Sequence, residues 1–343
     1  MKHLLNTLFI TSEDIYLTLD GENVVAKKGG AEAARFPLHT LSGILSFSYL
    51  GASPALMGHC AKKNISIAFC SPHGRFLARA VGETSGNVLL RREQYRIADD
   101  ETRSCAIARM MIFGKVFNAR WVLERCCRDH AMRVDTEKLK NESANLKNAL
   151  AVIRETTDRD TLRGVEGGCA NGYFDVFDEL ILQGKDTFRY KARNRRPPLD
   201  PVNALLSFAY SLLAYDCASA LESVGLDAFV GFLHTDRPGR RSLALDLMEE
   251  LRPCIADRFV LTCINTRVFE AKDFRFVDSG AVLLTDDARK RFLKAWQERK
   301  NEQIEHPYLK EKLQWGLVPY VQALLLARHL RGDLDAYPPM LWK

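Results

Sequence analysis

The spacing of apolar residues changes once along the chain. Between residues 7 and 82 the apolar positions form short runs, and in residues 15–19 they alternate with polar ones. Alternation with a period of two predicts half-buried strands, and Asp20-Gly21 before Val24-Val25 predicts a hairpin. Ser53-Pro54 predicts the start of a short helix, because Ser is a favoured N-cap and Pro suits the first helical position.

Beyond residue 86 the apolar residues recur with a helical period, as in residues 102–128. Asp200-Pro201 predicts the start of another helix, with Asp as the N-cap. The pattern therefore predicts an α+β protein with a strand-rich domain at residues 1–84 and a larger, mainly helical domain at residues 85–343. We place the linker near residues 82–86.

Composition limits the class of protein. The 343 residues are 47% hydrophobic, with 49 Lys+Arg against 43 Asp+Glu, which is typical of a globular protein and gives a net charge of +6. Nine cysteines without a C-x-x-C pair predict neither a disulfide framework nor a zinc ribbon. The apolar stretch at residues 203–215 is shorter than the roughly 20 residues that span a bilayer, and the N-terminal apolar core is too short for a signal peptide. We expect a cytoplasmic protein without a membrane partner.

Glu166 is the first candidate for chemistry. It lies in the glycine-rich residues 163–170, and helical spacing continues its face to apolar positions further along the chain. A carboxylate on an apolar face needs a partner, and each glycine weakens a helix by roughly 1 kcal/mol relative to Ala. Such glycines are useful where something must approach the backbone closely. The alternative is a loop glutamate among glycine turns.

His234 and the segment after it form the second candidate. The histidine ends an apolar run, a position that is more often structural than ligating. In the helix predicted from Ser242, acidic residues at 246, 249 and 250 fall within roughly 100° of arc opposite the apolar side. This face is either solvated or close to a cation that relieves the repulsion between Asp246, Glu249 and Glu250.

Two groups of arginines indicate a polyanionic partner. Arg237, Arg240 and Arg241 precede a helix N-terminus, where a phosphate is favourable and an unpaired cation is not. Five basic residues lie in residues 189–196 without an acid, and Phe188 and Tyr190 are interleaved for stacking on bases. From this segment we expect Arg189, Arg193, Arg195 and Arg196 to bind a nucleic acid. Solvated surface loops are the alternative for both groups.

Several enzyme classes lack their motifs here. There is no H-E-x-x-H, which a zincin protease needs for its metal. There is also neither a P-loop nor a strand-linked G-x-G-x-x-G, the usual phosphate-binding turns of nucleotide cofactors. No base-reading motif is evident, so we expect nucleic-acid recognition chiefly through phosphates and shape.

Four segments in order resemble the CRISPR-associated spacer-acquisition integrase and endonuclease family over nearly the whole chain. They are Gly164-Val165-Glu166-Gly167, residues 201–210, Gly231-Phe232-Leu233-His234 and residues 242–253. The Tyr-Pro-Pro sequence at residues 337–339 and the overall length resemble the branch that accompanies subtype I-C systems.

The resemblance implies a fold, an activity and partners. The fold is an N-terminal β-sandwich-like domain followed by a helical catalytic domain. The activity is metal-dependent DNA cleavage and joining, which inserts foreign DNA fragments as new spacers into a CRISPR array. The implied partners are double-stranded DNA with exposed 3′ ends, CRISPR repeat DNA, a second copy of the chain and a small ferredoxin-like protein.

Residue roles carried over by position complete the interpretation. Glu166, His234 and Glu249 are the implied ligands of Mg²⁺ or Mn²⁺, and Asp246 is an implied catalytic residue that supports them or serves as a further ligand. One metal or two stays open, because Asp246 and Glu250 are also placed to assist a second ion. Two other functions stay open as well: a non-catalytic DNA-binding scaffold with a solvated acidic helix, and a general nuclease of branched DNA in repair.

Overall fold

The computed structural model describes residues 6–63, 65–71, 76–80, 82 and 88–343. The predicted boundary at residue 84 and most of the predicted linker lie outside these residues. The chain forms two compact units, Met1–Gly86 with Thr285–Glu302, and Asn87–Leu284 with Gln303–Lys343. Small strand sheets followed by a larger helical part confirm the predicted α+β class.

Short strands dominate the N-terminal unit. They and its first helix are β1 (Asn6–Ile10), β2 (Ile15–Asp20), β3 (Asn23–Lys28), β4 (Ala31–Pro37), β5 (Leu41–Ser46), α1 (Pro54–Lys62), β6 (Ser66–Cys70) and β7 (Phe76–Ala80). One sheet has the order β1-β5-β6-β7, with parallel pairing except between β6 and β7. The antiparallel sheet β2-β3-β4 contains the predicted hairpin at Asp20-Gly21. Ser53 caps α1 as predicted, since its hydroxyl accepts the Leu56 N–H at 3.3 Å.

The C-terminal unit is built mainly from helices. Its first part contains α2 (Val88–Asp99), α3 (Glu101–Asp129), α4 (Thr136–Glu155), α5 (Arg159–Asp175), α6 (Pro201–Ser223), α7 (Ser242–Leu251), a π-helical turn (Arg252–Asp257) and α8 (Arg258–Asn265). The long α3 packs against α4, α5 and α7. Asp200 accepts the Asn203 N–H at 2.8 Å and Pro201 is the first helical residue, so the predicted start of α6 is confirmed.

The rest of the chain adds two short hairpins and two helices. The elements are β8 (Phe274–Phe276), β9 (Val282–Leu284), α9 (Asp286–Asn301), β10 (Gln303–Glu305), β11 (Lys312–Gln314) and α10 (Val318–Leu330). Helix α9 lies within the segment that belongs to the N-terminal unit. The final residues pack into the helical unit, where Tyr337, Met340 and Trp342 are buried.

Helix α6 is longer than the apolar stretch that predicts it. Among the described residues it is the one helix that is long and apolar enough to cross a membrane by length and composition. In the structure, 67% of its most apolar window is buried inside the protein. This burial is what the core helix of a globular unit shows, because its apolar side chains pack against neighbouring helices.

Candidate functional site

Helix α7 is buried along its whole length except at Leu245, which is partly exposed. Asp246, Glu249 and Glu250 expose 1%, 3% and 0% of their surface, so the alternative of a solvated acidic face is wrong. The helix lies against α3, α6 and α10, which cover the side that its own pattern leaves polar. Buried carboxylates need partners, and each of the three acids has a different set.

The backbone before α7 wraps around the Asp246 carboxylate. Oδ2 accepts the N–H groups of Phe232 and Leu233 at 2.6 and 3.0 Å, and Oδ1 accepts the His234 N–H at 3.0 Å. A Cβ on Gly231 would lie 2.7 Å from Asp246 Oδ2, so only glycine fits this approach. The carboxylate therefore fixes the loop that carries His234.

Asp246 also fixes the imidazole of His234. Its Oδ1 lies 2.5 Å from His234 Nδ1. Because a carboxylate only accepts, Nδ1 carries a proton in this contact, and Nε2 has no protein hydrogen-bond partner among the described residues. An imidazole oriented in this way by a carboxylate is the usual arrangement of a metal-ligating histidine. Asp246 is thus a positioning residue for His234.

Glu249 faces two cations in a buried setting. Its Oε2 lies 2.6 Å from Lys115 Nζ, and its Oε1 lies 3.1 Å from an Arg252 guanidinium nitrogen. Burial alone raises the pKa of Glu249, but the charges of Arg252, Lys115 and His234 outweigh it and lower the pKa to about 2. Glu249 is therefore a carboxylate at neutral pH.

Lys115 joins Glu249 to Glu166. The Lys115 ammonium, on α3, also donates to Glu166 Oε1, so one cation contacts carboxylates from α5 and α7. Residue 166 lies inside α5, which rules out the loop alternative. Open space surrounds the Cα positions of Gly164, Gly167 and Gly168, so this part of α5 has accessible backbone.

The four catalytic candidates thus fall into two linked pairs, Glu166 with Glu249 through Lys115, and His234 with Asp246. Among the described residues, no group of three or more His, Cys, Asp or Glu side chains is already arranged to hold a metal ion. The cation that lies between Glu166 and Glu249 is the Lys115 ammonium. The roles of Glu166, His234 and Glu249 as metal ligands stay a prediction.

Glu250 is bonded to the C-terminal part of the helical unit, so its contacts do not support the open alternative in which it assists a second ion. Its Oε1 accepts from Gln322 Nε2 at 2.9 Å and from the Tyr337 hydroxyl, and its Oε2 accepts the Met340 N–H at 2.8 Å. These contacts direct Glu250 to α10 and the C-terminal tail. Burial raises its pKa to about 7 although the three hydrogen bonds oppose this shift.

Sequence reasoning missed Lys115 and Arg252. Lys115 is a lone charge between Phe113 and Phe117 in an apolar stretch of α3, and such a charge needs a buried partner. Arg252 follows Glu249 by three residues, a spacing at which helical side chains meet. Both signals can be read from the local sequence, but neither shows that Lys115 also pairs with Glu166.

The basic segment at residues 189–196 is only partly exposed. Arg189, Arg195 and Arg196 are exposed, whereas the Arg193 guanidinium lies 2.5 Å from Asn203 Oδ1 and covers the Tyr210 ring at 5.3 Å. Arg195 lines a small cavity of about 30 Å³ together with Lys115 and Arg252. The exposed end of the segment therefore reaches the edge of the carboxylate site.

The two aromatic residues of this segment have a structural role. Phe188 and Tyr190 expose only 3% and 5% of their surface. Phe188 packs edge-on against Phe274 at 5.8 Å, and Tyr190 lies 5.1 Å from Phe177. The prediction that they stack on bases is wrong, because in this segment the aromatic side chains point into the protein and the basic residue between them, Arg189, is exposed.

The second arginine group lies in the loop before α7. Arg237 is exposed, Arg240 is partly buried, and the Arg241 guanidinium lies 5.9 Å from the Phe229 ring centre. This loop begins directly after His234. DNA binding by these arginines stays a prediction.

A strand-rich unit followed by a larger helical unit is a fold seen in solved structures. A casposase bound to integration product matches with a TM-score of 0.83 and 23% identity, over 99% of this chain and 95% of that one. A Cas1 protein from Thermotoga maritima matches with a TM-score of 0.80 and 22% identity, over 97% and 99% of the two chains. At these identities the likeness shows a shared fold.

Sequence relatives define the family. The profile described as CRISPR associated protein Cas1 matches residues 8–298. The CRISPR-associated endonuclease Cas1 1 of Chlorobaculum tepidum is 50% identical over 343 residues, covering 100% of both chains. The CRISPR-associated endonuclease Cas1 2 of Rhodospirillum rubrum is 51% identical over 347 residues, again covering 100% of both. The chain belongs to the Cas1 endonuclease family.

Proposed function

We propose that this protein is a metal-dependent DNA endonuclease and integrase that inserts foreign DNA fragments as spacers into a CRISPR array by transesterification. One observation carries the proposal: Glu166 and Glu249, from two helices, face the same cation, while Asp246 orients His234 nearby. Full-length relatives named as endonucleases support it.

We propose Mg²⁺ or Mn²⁺ as the metal, with Glu166, Glu249 and His234 Nε2 as the residues that would hold it. The donor set fits, because carboxylates suit both ions and an imidazole favours Mn²⁺. Glu249 Oε2 is buried and lies 2.6 Å from the Lys115 ammonium, so this oxygen is already placed against a cation. When bound, such an ion stabilises charge on phosphate oxygens and activates a hydroxyl.

The chain's own residues would position the DNA. Asp246 keeps the proton on Nδ1 of His234, and Arg252 holds the second oxygen of Glu249. The exposed Arg189, Arg195 and Arg196 would neutralise phosphates on one side of the site. The loop after His234 would neutralise phosphates on the other DNA strand or at the other end of the DNA site, through Arg237, Arg240 and Arg241. The attacking group would be a DNA 3′-hydroxyl.

The partners follow from the same proposal. One solved neighbour is named as bound to an integration product and another as a Cas6-RT-Cas1–Cas2 complex. By analogy we propose that this chain binds duplex DNA with exposed 3′ ends and repeat DNA, as a homodimer with a small ferredoxin-like protein. We further propose a place in a subtype I-C system and in the cytoplasm, where the free thiols of the described cysteines would stay reduced.

The decisive experiment is an integration assay with the ferredoxin-like partner, a 3′-ended duplex and a plasmid carrying a repeat array. We expect Mn²⁺-dependent insertion at the repeat, which Glu166→Gln abolishes while duplex binding persists. Glu155→Gln, an exposed acid on α4, is the matched control and should retain activity. Insertion undiminished by a chelator or by Glu166→Gln would falsify the metal mechanism.

The same assay separates the two other functions. A DNA-binding scaffold would neither cut nor join DNA in any condition. A general repair nuclease would cut branched DNA equally well with or without a repeat and the partner protein. The burial of α7 already disfavours the scaffold, because its acidic residues are not a solvated face.

A further inference from the structure

Lys115 occupies an unusual place for a lysine. It lies in the middle of α3, and its side chain is only 12% exposed. Burying an ammonium is costly unless anions compensate for the lost hydration. Its partners are the two carboxylates that the proposed function assigns to the metal, Glu166 and Glu249.

The contacts assign particular oxygens to this ammonium. Lys115 meets Glu166 at Oε1 and Glu249 at Oε2, whereas Arg252 takes the remaining oxygen of Glu249. The carboxylates come from α5 and α7, so the ammonium links two helices through charges that would otherwise repel each other. Without a cation at this point the pair would be strongly unfavourable in a buried setting.

We propose that Lys115 is an internal counter-cation: it holds Glu166 and Glu249 together in the metal-free protein, and a divalent cation must displace it to bind them. This inference rests on the proposed function, which makes both carboxylates ligands. An ammonium and a divalent ion repel each other and need the same oxygens. Lys115 therefore lowers the affinity for metal while it stabilises the metal-free fold.

The surroundings offer the displaced ammonium another anionic group. Lys115 lines a small cavity with Asp257 and Tyr210, next to the π-helical turn. Asp257 is within electrostatic range of Lys115, whose charge lowers the pKa of that carboxyl against the larger effect of burial. The lysine thus has an acidic neighbour other than the two proposed ligands.

The test is calorimetric titration of Mn²⁺ into chelator-treated full-length protein, with thermal unfolding measured in parallel. Lys115→Met keeps the length of the side chain and removes its charge. We expect the Kd of this variant for Mn²⁺ to fall about tenfold, which is a typical size for the coupling between two binding events. Its Tm without metal should be lower than that of the natural protein. Its increase in Tm on adding Mn²⁺ should be larger. Lys115→Arg, which keeps the charge, should bind Mn²⁺ no more tightly than the natural protein.

Lys138→Met is the matched control, because Lys138 pairs with Glu179 on another face of the helical unit. It should leave the Kd unchanged. If Lys115→Met does not fold, Lys115→Gln removes the charge, keeps an amide donor for the carboxylates, and should change the Kd in the same direction. A Kd that is unchanged or higher in the uncharged variants overturns the inference, although metal binding itself would stand. Absence of Mn²⁺ binding in every protein, including the natural one, overturns both the metal site and this inference.

Discussion

Asp246 Oδ1 accepts two hydrogen bonds from His234, one from the backbone N–H at 3.0 Å and one from the ring Nδ1 at 2.5 Å. The histidine is therefore fixed at its backbone and at its ring by one oxygen atom. With the other oxygen held by the backbone of Phe232 and Leu233, the carboxylate serves as a rigid support.

Replacing this support should weaken catalysis more than it weakens folding of the unit. Asp246→Asn keeps the shape but replaces one acceptor oxygen by a donor, so either His234 or the loop loses its partner. We expect DNA joining to slow by about 10- to 100-fold, the usual cost of losing such a carboxylate. Joining rates should be measured with saturating Mn²⁺. Asp236→Asn, exposed in the same loop, is the control, and an equal effect of both variants would contradict the role of Asp246.

The exposed arginines near the site should control the salt dependence of DNA binding. Arg195→Ala should weaken duplex binding and reduce the slope of log K against log salt by about one, because one phosphate contact is lost. Binding should be measured by fluorescence anisotropy over a range of salt. Arg128→Ala removes an exposed arginine that pairs with Asp129, and it should leave the slope unchanged. An unchanged slope for Arg195→Ala would show that this arginine does not contact DNA.

The C-terminal tail should contribute to stability through Glu250. Tyr337→Phe removes a buried donor and leaves the Glu250 carboxyl with one acceptor position unsatisfied. We expect the free energy of unfolding to fall by about 1–3 kcal/mol, which urea denaturation measures. Tyr308→Phe, on an exposed tyrosine, should change it little. Equal stabilities of the two variants would mean that the buried hydrogen bond has no net effect.

Asp257 should make stability depend on pH. Burial raises its pKa from 3.8 to about 6, although the Tyr210 hydroxyl donates to it at 2.5 Å. A carboxyl with a raised pKa favours the folded state while it is protonated, so this contribution is complete below pH 3.8 and is lost as the pH rises through about 6. Relative to Asp257→Asn, the natural protein should lose on the order of 1 kcal/mol of unfolding free energy between about pH 5 and about pH 8. Urea denaturation at both pH values tests this, with the exposed Asp160→Asn as the control; parallel pH profiles for the natural protein and Asp257→Asn would refute it.

Local signals in the sequence predict where a helix or strand begins better than they predict what will pack against it. Asp200-Pro201 specifies the start of α6 because a cap acts within one turn. By contrast, the sequence of α7 does not show whether its acidic face contacts water or other helices. Its burial depends on α3 and α10, and the partners of Glu250 lie 72 and 87 residues further along the chain.

The same distinction between local sequence and packing applies to the residues of the candidate site. Glu166 and His234 are recognisable because a glutamate among glycines and a histidine after an apolar run are unusual in their own segments. Lys115 acquires its meaning only when α3, α5 and α7 come together. The interleaved Phe188 and Tyr190 mislead for the opposite reason, because a buried loop and a base-stacking loop share one composition.

The anchoring of residues 337–342 has a consequence for proteolysis. The Met340 N–H bonds to Glu250, and the Trp342 N–H bonds to Asn118 Oδ1 at 2.8 Å. Both acceptors belong to fully buried residues of the helical unit, which therefore depends on this tail to satisfy two groups that water does not reach. A protease that removed this tail would leave Glu250 and Asn118 without these donors, and the loosened core would be open to further cleavage.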